Sequence, residues 1–300
     1  MHGRRFDYAI LALGVAVVST AALLIREAAA PALVIAAYRL CFASAPLLLF
    51  AAARKRPLAS TRAKAALTAL AGVLLALHFV FWVSSVQQTS VATSVFLVTA
   101  APLFVAVASG PLLGERTPPR AWLGIAIAAA GAAIMVGDDL GAGGDTLRGD
   151  LFAVLGALFA AAYFLVTRRV QTNESNWLSY VTLAYSVAAV VLVFGVAASG
   201  DGFFGYSGRT YLFFVLLALG PQLVGHTAVN RSLGYLPAVA VSIAVLGEPV
   251  GATLLAWAFL DEAPSALELA GGACLLCGVF FGLGGARDET NVAPLADATL

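Results

Sequence analysis

The chain has 300 residues, of which 61% are hydrophobic and only 11% are charged, and its mean hydropathy is +0.93. A soluble domain carries about a quarter charged residues, so this composition excludes a soluble protein and indicates one embedded in lipid. The formal net charge of +1 at pH 7 provides no basic surface, and no nucleic-acid partner is expected.

From Tyr8 to Gly284 the chain consists of apolar blocks of roughly twenty residues, the length that an α-helix needs to cross a bilayer. Inside hydrocarbon every backbone N–H and C=O must be bonded within its own helix, and the blocks lack the alternation of a β-barrel. We therefore predict an all-α polytopic membrane protein with ten transmembrane helices. Gly, Pro and charged residues place these spans at about 8–26, 31–53, 65–86, 90–110, 120–137, 150–168, 178–199, 209–231, 236–258 and 266–284.

The positions of Lys and Arg orient the spans, because positive charge is retained on the cytoplasmic side. With the N-terminus inside, the inner segments hold thirteen of the 17 Lys and Arg residues. The outer loops hold only Arg26, Arg148 and Arg209, and Arg39 lies within span two. The prediction is a multi-pass membrane protein with both termini in the cytoplasm.

The two halves of the chain share residues at a constant spacing of 147, which superposes Pro102 on Pro249 and Glu115 on Glu262. A proline within a span and a glutamate at its exit each need a structural reason, so their recurrence in order indicates a duplication. Five spans per half is an odd number, so the second copy would cross the bilayer in the opposite direction. Secondary transporters are often built from such inverted repeats, with the substrate site near the midplane between the halves.

Two stretches of the chain resemble the signature of EamA domains, a proline followed by a glutamate, in the drug/metabolite transporter superfamily. They contain Thr99-Ala100-Ala101-Pro102-Leu103 with Leu112-Leu113-Gly114-Glu115, and Gly247-Glu248-Pro249-Val250 with Leu260-Asp261-Glu262. Asp261 stands where the signature usually has glycine. Within the family, the chain is most similar to the bacterial amino acid exporters of the YddG type, whose known substrates include aromatic amino acids.

The resemblance implies two tandem EamA-like five-helix repeats that cover nearly the whole chain. Residues 1–143 would form the first repeat and residues 144–286 the second, inverted repeat. Residues 287–300 would form a cytoplasmic tail, which we expect to be disordered.

Two stripes of polar and aromatic side chains lie within the spans, where polar groups are costly and usually face a cavity or a partner helix. The stripe on span three consists of His78, Trp82 and Ser85, and the stripe on span eight consists of Gln222, His226 and Asn230. We predict that they line opposite sides of one substrate cavity. The alternatives are hydrogen bonding between helices and a belt at the membrane interface.

Five further residues complete the predicted substrate site. Ser94, Thr99 and Ser242 would supply hydrogen bonds, and Phe96 and Tyr163 would form apolar or stacking walls. An amino acid needs such a mixture, because its charged groups and its apolar side chain must both be accommodated. The alternative for each hydroxyl is a bond to its own preceding helical turn.

Three prolines, Pro102, Pro221 and Pro249, interrupt the hydrogen-bond ladder within spans four, eight and nine, and we predict hinges there.

Two ionisable residues, Arg39 and Glu248, lie within spans two and nine. Helical geometry turns Glu248 about 120° from Ser242, which would direct it away from the cavity. Proton coupling through Glu248 and a structural ion pair with Arg39 are both open, and the structural role is favoured.

Two further features predict helix contacts. Glu115 and Glu262 precede spans five and ten, where acids would stabilise the positive helix start. The glycine rows Gly124, Gly131, Gly137 and Gly271, Gly278 permit close packing, either within each half or between the protomers of a homodimer.

We expect a secondary transporter that exports small amphipathic metabolites across the bacterial inner membrane by alternating access through a central cavity between the repeats. Hydrophobic and aromatic amino acids are the first candidates. The alternatives are export of drugs, nucleobases or other metabolites, and a membrane protein without transport activity. An enzyme is disfavoured because the HExxH, GxSxG and P-loop motifs are missing, and His2, His78 and His226 provide no metal set. No cofactor or metal is expected, and the partners would be the solute and membrane lipid.

Overall fold

The computed structural model describes residues 2–55, 57–115, 118–136, 144–171 and 177–288. All regular elements in these ranges are helical, as predicted. They are α1 (His2–Val18), α2 (Ala21–Glu27), α3 (Ala32–Ala53), α4 (Arg62–Gln88), α5 (Val91–Val98), α6 (Ala101–Leu113), α7 (Pro119–Val136), α8 (Gly144–Gln171), α9 (Trp177–Ser199), α10 (Gly208–Leu217), a π-helical segment (Ala218–His226), α11 (Thr227–Leu233), α12 (Ala238–Val245), α13 (Glu248–Leu260) and α14 (Ala266–Asp288).

Eight helical stretches in the described ranges are long and apolar enough to cross a bilayer, and each corresponds to a predicted span. They are Arg5–Glu27, Ala32–Ala53, Arg62–Gln88, Val91–Leu113, Thr146–Gln171, Trp177–Ser199, Gly208–Leu233 and Ala238–Leu260. Predicted spans five and ten coincide with α7 and α14, which do not add to this number, so the count of ten stays a prediction. Helix α14 extends two residues into the predicted tail, and residues 289–300 lie outside the described ranges.

Large apolar side chains cover the outside of the helix bundle. Leu49, Phe194 and Phe259 are 72%, 72% and 69% exposed, although each belongs to a long apolar helix. Such extensive apolar exposure marks a surface that contacts lipid rather than water. The protein is therefore a membrane protein with several spans.

Spans four and nine are each broken into two helices. The first break separates α5 from α6 at Thr99–Ala100, and the second separates α12 from α13 at Leu246–Gly247. Proline cannot donate a backbone hydrogen bond and its ring clashes with the preceding turn, so Pro102 and Pro249 each occupy the second position of a new helix. Two of the three predicted hinges, Pro102 and Pro249, thus lie at helix starts and not within continuous helices.

Spans eight and one are also irregular, for reasons that differ from those in spans four and nine. Pro221 lies in the π-helical segment, whose wider hydrogen-bonding pattern accommodates the missing N–H. Span one is also broken, between α1 and α2, which the sequence analysis did not predict. There the hydroxyls of Ser19 and Thr20 donate to the carbonyl oxygens of Val15 at 2.9 Å and Val17 at 2.8 Å, a pattern that bends helices.

The broken spans four and nine lie antiparallel and cap each other. The Glu115 carboxylate, just after α6, accepts a hydrogen bond from the backbone N–H of Ala238 at the start of α12, at 3.0 Å. The Glu262 carboxylate, just after α13, accepts one from the backbone N–H of Val91 at the start of α5, at 3.4 Å. Each acid therefore caps a helix of the other half. The structural role predicted for the two glutamates is confirmed, but the helix starts that they bond are those of α12 and α5.

The glycine rows bring α7 and α14 together. A Cβ atom placed on Gly278 would lie 2.6 Å from the backbone carbonyl oxygen of Gly124, so the two helices approach each other backbone to backbone. This contact joins the two halves of one chain, whereas the sequence had suggested contacts within a half or between protomers. Gly137 lies outside the described residues.

Candidate functional site

A cavity of about 50 Å³ lies between the two halves, at the breaks in spans four and nine. This volume is enough for one or two water molecules, so a larger solute requires the walls to move apart. The first half contributes residues of α4, α5 and α6, and the second half contributes residues of α8, the π-helical segment, α12 and α13. The lining residues are His78, Trp82, Val98, Thr99, Ala101, Pro102, Ala160, Tyr163, Phe164, His226, Ser242, Val245, Leu246 and Glu248.

Three aromatic rings form one wall of this cavity. His78 and Trp82, one helical turn apart on α4, have ring centroids 6.0 Å apart and planes within 4° of parallel, and the His226 ring lies 6.4 Å from His78. The Nδ1 atom of His78 lies 2.9 Å from the carbonyl oxygen of Gly156. Because a carbonyl only accepts hydrogen bonds, the His78 proton resides on Nδ1 and its Nε2 atom is left as an acceptor.

Two predicted site residues on α8 and α11 are bonded to each other. The Tyr163 hydroxyl donates to Oδ1 of Asn230 at 2.6 Å, and Nδ2 of Asn230 donates to the Tyr185 hydroxyl at 3.1 Å. Tyr163 lines the cavity, but Asn230 does not. The structure therefore places Asn230 in a buried network behind the wall, the interhelical alternative that the sequence left open.

The predicted hydroxyl-bearing residues hydrogen-bond to other protein groups, either across a helix contact or within their own preceding turn. Ser85 on α4 donates to Ser94 on α5 at 2.9 Å, and neither lines the cavity. Thr99 and Ser242 both line the cavity. The Thr99 hydroxyl donates to the carbonyl oxygen of Phe96, and the Ser242 hydroxyl donates to that of Val239. Each thus satisfies its donor in its own preceding turn and offers the cavity the remaining lone pair of its oxygen.

A second cavity, of about 260 Å³, adjoins the first between α5, α6 and α7. Phe96, predicted as a wall of the substrate site, lines this second cavity. Thr99, Pro102 and Leu246 line both cavities. Movement at the helix breaks would therefore change both volumes together.

Two ionisable side chains are buried at the centre of the bundle. Glu248 lines the cavity, which answers the question of its orientation that the sequence left open. The angle of about 120° from Ser242 holds for a continuous helix, whereas α12 ends at Val245 and α13 begins at Glu248. Arg39 is fully buried, and its Nε donates to Oε1 of Gln222 at 2.8 Å. Both terminal nitrogens of Arg39 lack a hydrogen-bond partner, so the hydrogen-bonded ion pair that the sequence suggested is not formed.

Polar clusters close the two ends of the bundle around this core. At one end, Nε of Arg168 lies 2.5 Å from the Glu115 carboxylate, with the two side chains 15% and 18% exposed. At the other end, Arg26 lies 3.7 Å from the Glu262 carboxylate, with exposed fractions of 27% and 38%. The first cluster is therefore tighter and drier than the second.

The ion pairs join residues that the positive charges assign to the same side of the membrane. Those of the predicted cytoplasmic side are Arg168–Glu115 and Arg231–Asp7, and those of the predicted outer side are Arg26–Glu262 and Arg209–Glu27. This agreement supports the predicted grouping of the loops. Which end faces the cytoplasm stays a prediction.

Several residues of the site were missed in the sequence. Phe164 lines the cavity, Phe79 packs between Arg39 and His226, and Tyr185 bonds Asn230. The 147-residue shift that aligns Tyr185 with Tyr38 was a usable signal for that residue. Phenylalanines in apolar helices, in contrast, do not reveal whether they face lipid or the interior.

Within the described residues, no three His, Cys, Asp or Glu side chains are grouped so that they could hold a metal.

Two regions of the chain, residues 7–137 and 147–283, each match the model of the EamA-like transporter family. The chain belongs to this family. EamA-like proteins are transporters, so the protein is a transporter and not an enzyme. The double match also agrees with the antiparallel arrangement of the two broken spans.

The relatives of this EamA-like transporter have more specific names but modest identity. An uncharacterized transporter, YdfC of Bacillus subtilis (strain 168), is 25% identical over 249 residues, which are 82% of this chain and 80% of that protein. The pseudopaline exporter CntI of Pseudomonas aeruginosa is 26% identical over 259 residues, 84% of this chain and 87% of that protein. A solved crystal structure superposes with a TM-score of 0.76 at 19% identity, covering 95% of this chain and 99% of that one. At that identity the likeness shows the fold alone.

Proposed function

We propose that this EamA-like transporter exports a small amphipathic metabolite by alternating access through the cavity between its two halves. Hydrophobic and aromatic amino acids are the first candidates for the solute. The observation that carries the proposal is that both halves contribute walls to one buried cavity located where spans four and nine are broken. A solute held there can be exposed to either side by relative movement of the halves.

The chemistry of the cavity suits a solute with an apolar body and polar ends. The stacked rings of His78 and Trp82 and the ring of Phe164 offer flat apolar surfaces. Nε2 of His78 is an available acceptor, and Glu248 adds a carboxyl group. Few polar groups among mostly apolar walls are typical of sites that bind small metabolites.

The proposed architecture is ten transmembrane helices in two inverted five-helix repeats. Its support is the reciprocal capping, in which the equivalent residues Glu115 and Glu262 lie at opposite ends of the span Val91–Leu113. Two copies of one motif at opposite ends of the same span run in opposite directions. Such symmetry allows the two end clusters to exchange roles during transport.

The two end clusters would act as the closing contacts of the transport cycle. Opening one end requires the Glu115–Ala238 or the Glu262–Val91 contact to break, because these bonds tie the halves together. The tighter geometry at Glu115 supports a conformation that is closed more firmly at that end. The positive charges of the loops support a cytoplasmic location for this end.

A second candidate is export of metabolites other than common amino acids. It is favoured by the name of one relative, a pseudopaline exporter. The identification with YddG-type exporters rests on sequence resemblance, so a solute panel should include both classes.

Transport by the purified protein in lipid vesicles tests the proposal. Vesicles preloaded with unlabelled solute should accumulate labelled phenylalanine, leucine or another panel member by exchange, with saturation. Vesicles without protein give the background. No saturable exchange for any amino acid would refute the amino acid assignment, and saturable exchange of other metabolites would replace it with the second candidate.

A further inference from the structure

The Arg39 guanidinium is the most unusual buried group in the described part of the chain. It is 0% exposed near the middle of α3, and its one hydrogen bond goes from Nε to Oε1 of Gln222 at 2.8 Å. Nη1 and Nη2 of Arg39 and Nε2 of Gln222 are buried and have no partner. Because Nε of Arg39 is hydrogen-bonded to the side-chain amide of Gln222, the three unbonded nitrogen atoms of these two residues lie close together.

Aromatic rings surround the positive charge. Cζ of Arg39 lies 4.1 Å from the centroid of the Phe79 ring and 5.8 Å from that of Trp82. Ring faces attract a cation but accept no strong hydrogen bonds, so the unbonded N–H groups stay costly. A planar guanidinium with both terminal nitrogens available matches the two oxygens of a carboxylate.

One aromatic layer separates this donor cluster from the cavity. Trp82 contacts the guanidinium and lines the cavity. Phe79 packs against both Arg39 and His226, with its ring centroid 5.2 Å from that of His226. At about 50 Å³ the cavity must widen to hold a solute as large as an amino acid. Rotation of the Phe79 or His226 side chain would widen it toward the unused donors of Arg39 and Gln222.

We propose that Arg39 and Gln222 form a carboxylate-binding subsite of the transport cavity, so that the solutes of this protein carry a carboxylate. The solute carboxylate accepts hydrogen bonds from Nη1 and Nη2 of Arg39 and from Nε2 of Gln222, while its apolar part lies against the His78 and Trp82 rings. This assignment rests on the proposed function for the location of the solute, and it restricts the substrate class. Neutral amides and amines of the same shape would be excluded.

Binding to the full-length protein in detergent tests this subsite separately from transport. The probes are L-phenylalanine, L-leucine, 3-phenylpropionate and acetate, each compared with the carboxamide that replaces its carboxylate and measured by titration calorimetry. The amides of 3-phenylpropionate and acetate are neutral, so these two pairs test the carboxylate without an ammonium group. We expect each amide to bind about 10- to 100-fold more weakly than its acid, the cost of losing hydrogen bonds between charged groups. This comparison requires no variant and so does not depend on the folding of a mutant.

The variants then assign the effect to the residue. Arg39→Gln should abolish the preference for acid over amide, and Arg39→Lys should weaken it because a lysine lacks the two-pronged geometry. Arg54→Gln is the matched control, since Arg54 follows the same helix but is exposed. It should leave the preference unchanged.

The outcomes separate this inference from the proposed function. Amides that bind as well as acids, or a preference that survives in Arg39→Gln, would overturn the subsite even if amino acids are transported. Binding of acetate or 3-phenylpropionate that depends on Arg39 would support it even if no amino acid is transported. Chloride that binds through Arg39 without competing against the carboxylates would show a site for inorganic anions and overturn the assignment. Absence of binding by all four acids would also overturn it.

Discussion

The Glu115 carboxylate accepts a hydrogen bond from the backbone N–H of Ala238, which lies 123 residues later in the chain, at a distance of 3.0 Å. Through this bond the end of α6 in one half caps the start of α12 in the other. The same relation holds in reverse between Glu262 and Val91. The duplicated glutamate of the EamA signature therefore links the two halves to each other.

Replacing each glutamate by glutamine should reveal the difference between the two ends. Glu115→Gln weakens a short, mostly buried contact with Arg168 and should lower the free energy of unfolding by about 1–2 kcal/mol. Glu262→Gln weakens a longer and more exposed contact and should cost less than about 1 kcal/mol. Thermal unfolding in detergent measures both. Equal effects would show that the two ends are closed to the same extent.

The close approach of α7 and α14 predicts a large effect of a single methyl group. In Gly278→Ala the new Cβ would clash with the Gly124 carbonyl, and we expect a loss of roughly 1–3 kcal/mol of stability. Gly272→Ala, on the same helix, is the matched control because no heavy atom lies within 4 Å of its added Cβ. The control should be neutral or stabilising by up to about 1 kcal/mol. Similar unfolding temperatures for the two variants would contradict the helix contact.

The equivalent C-caps of α6 and α13 differ in their residue. Gly114 has φ 68° and Asp261 has φ 57°, both in the left-handed region that glycine adopts without strain. Asp261→Gly should therefore raise stability by up to about 1 kcal/mol, and Gly114→Ala should lower it by about 1 kcal/mol. Calorimetric unfolding of the two variants checks the opposite signs. A loss of stability in Asp261→Gly would assign the Asp261 side chain a contact of its own.

The aromatic wall of the cavity predicts a transport defect. Trp82→Ala removes the ring stacked on His78, and His78→Ala removes its partner, so each should lower the rate of exchange roughly 3- to 10-fold. Trp257→Ala is the control, because Trp257 is 55% exposed on the outside of the bundle. Its exchange rate should match that of the unaltered protein. Unchanged rates in both cavity variants would remove α4 from the solute pathway.

Glu248 predicts how transport responds to a proton gradient. It is the acidic side chain in the cavity wall, and carboxyl groups within membrane spans often relay protons. We expect Glu248→Gln to eliminate the response of net transport to an imposed pH gradient, while exchange of labelled for unlabelled solute continues. Flux with and without the gradient, measured in the same vesicles, checks this. A response that persists in the variant would leave Glu248 a structural role.

The membrane location, the eight spans that the described residues contain and the duplication could all be predicted from the amino-acid sequence. These follow from local properties: the length of an apolar block, the position of a proline and the recurrence of Glu115 as Glu262. The breaks in spans four and nine were also foreseeable from Pro102 and Pro249, because proline acts on its own helix.

Which helices meet, and what each side chain faces, could not be predicted without the packed fold. The sequence left open which way Glu248 points, because it does not give the side-chain direction beyond a helix break. Asn230 was predicted to line the cavity, but its amide is hydrogen-bonded to Tyr163 and Tyr185. The partners of Glu115 and Gly278 belong to the other half of the chain. Contacts between residues more than a hundred positions apart depend on how whole helices pack, and local sequence patterns do not contain that information.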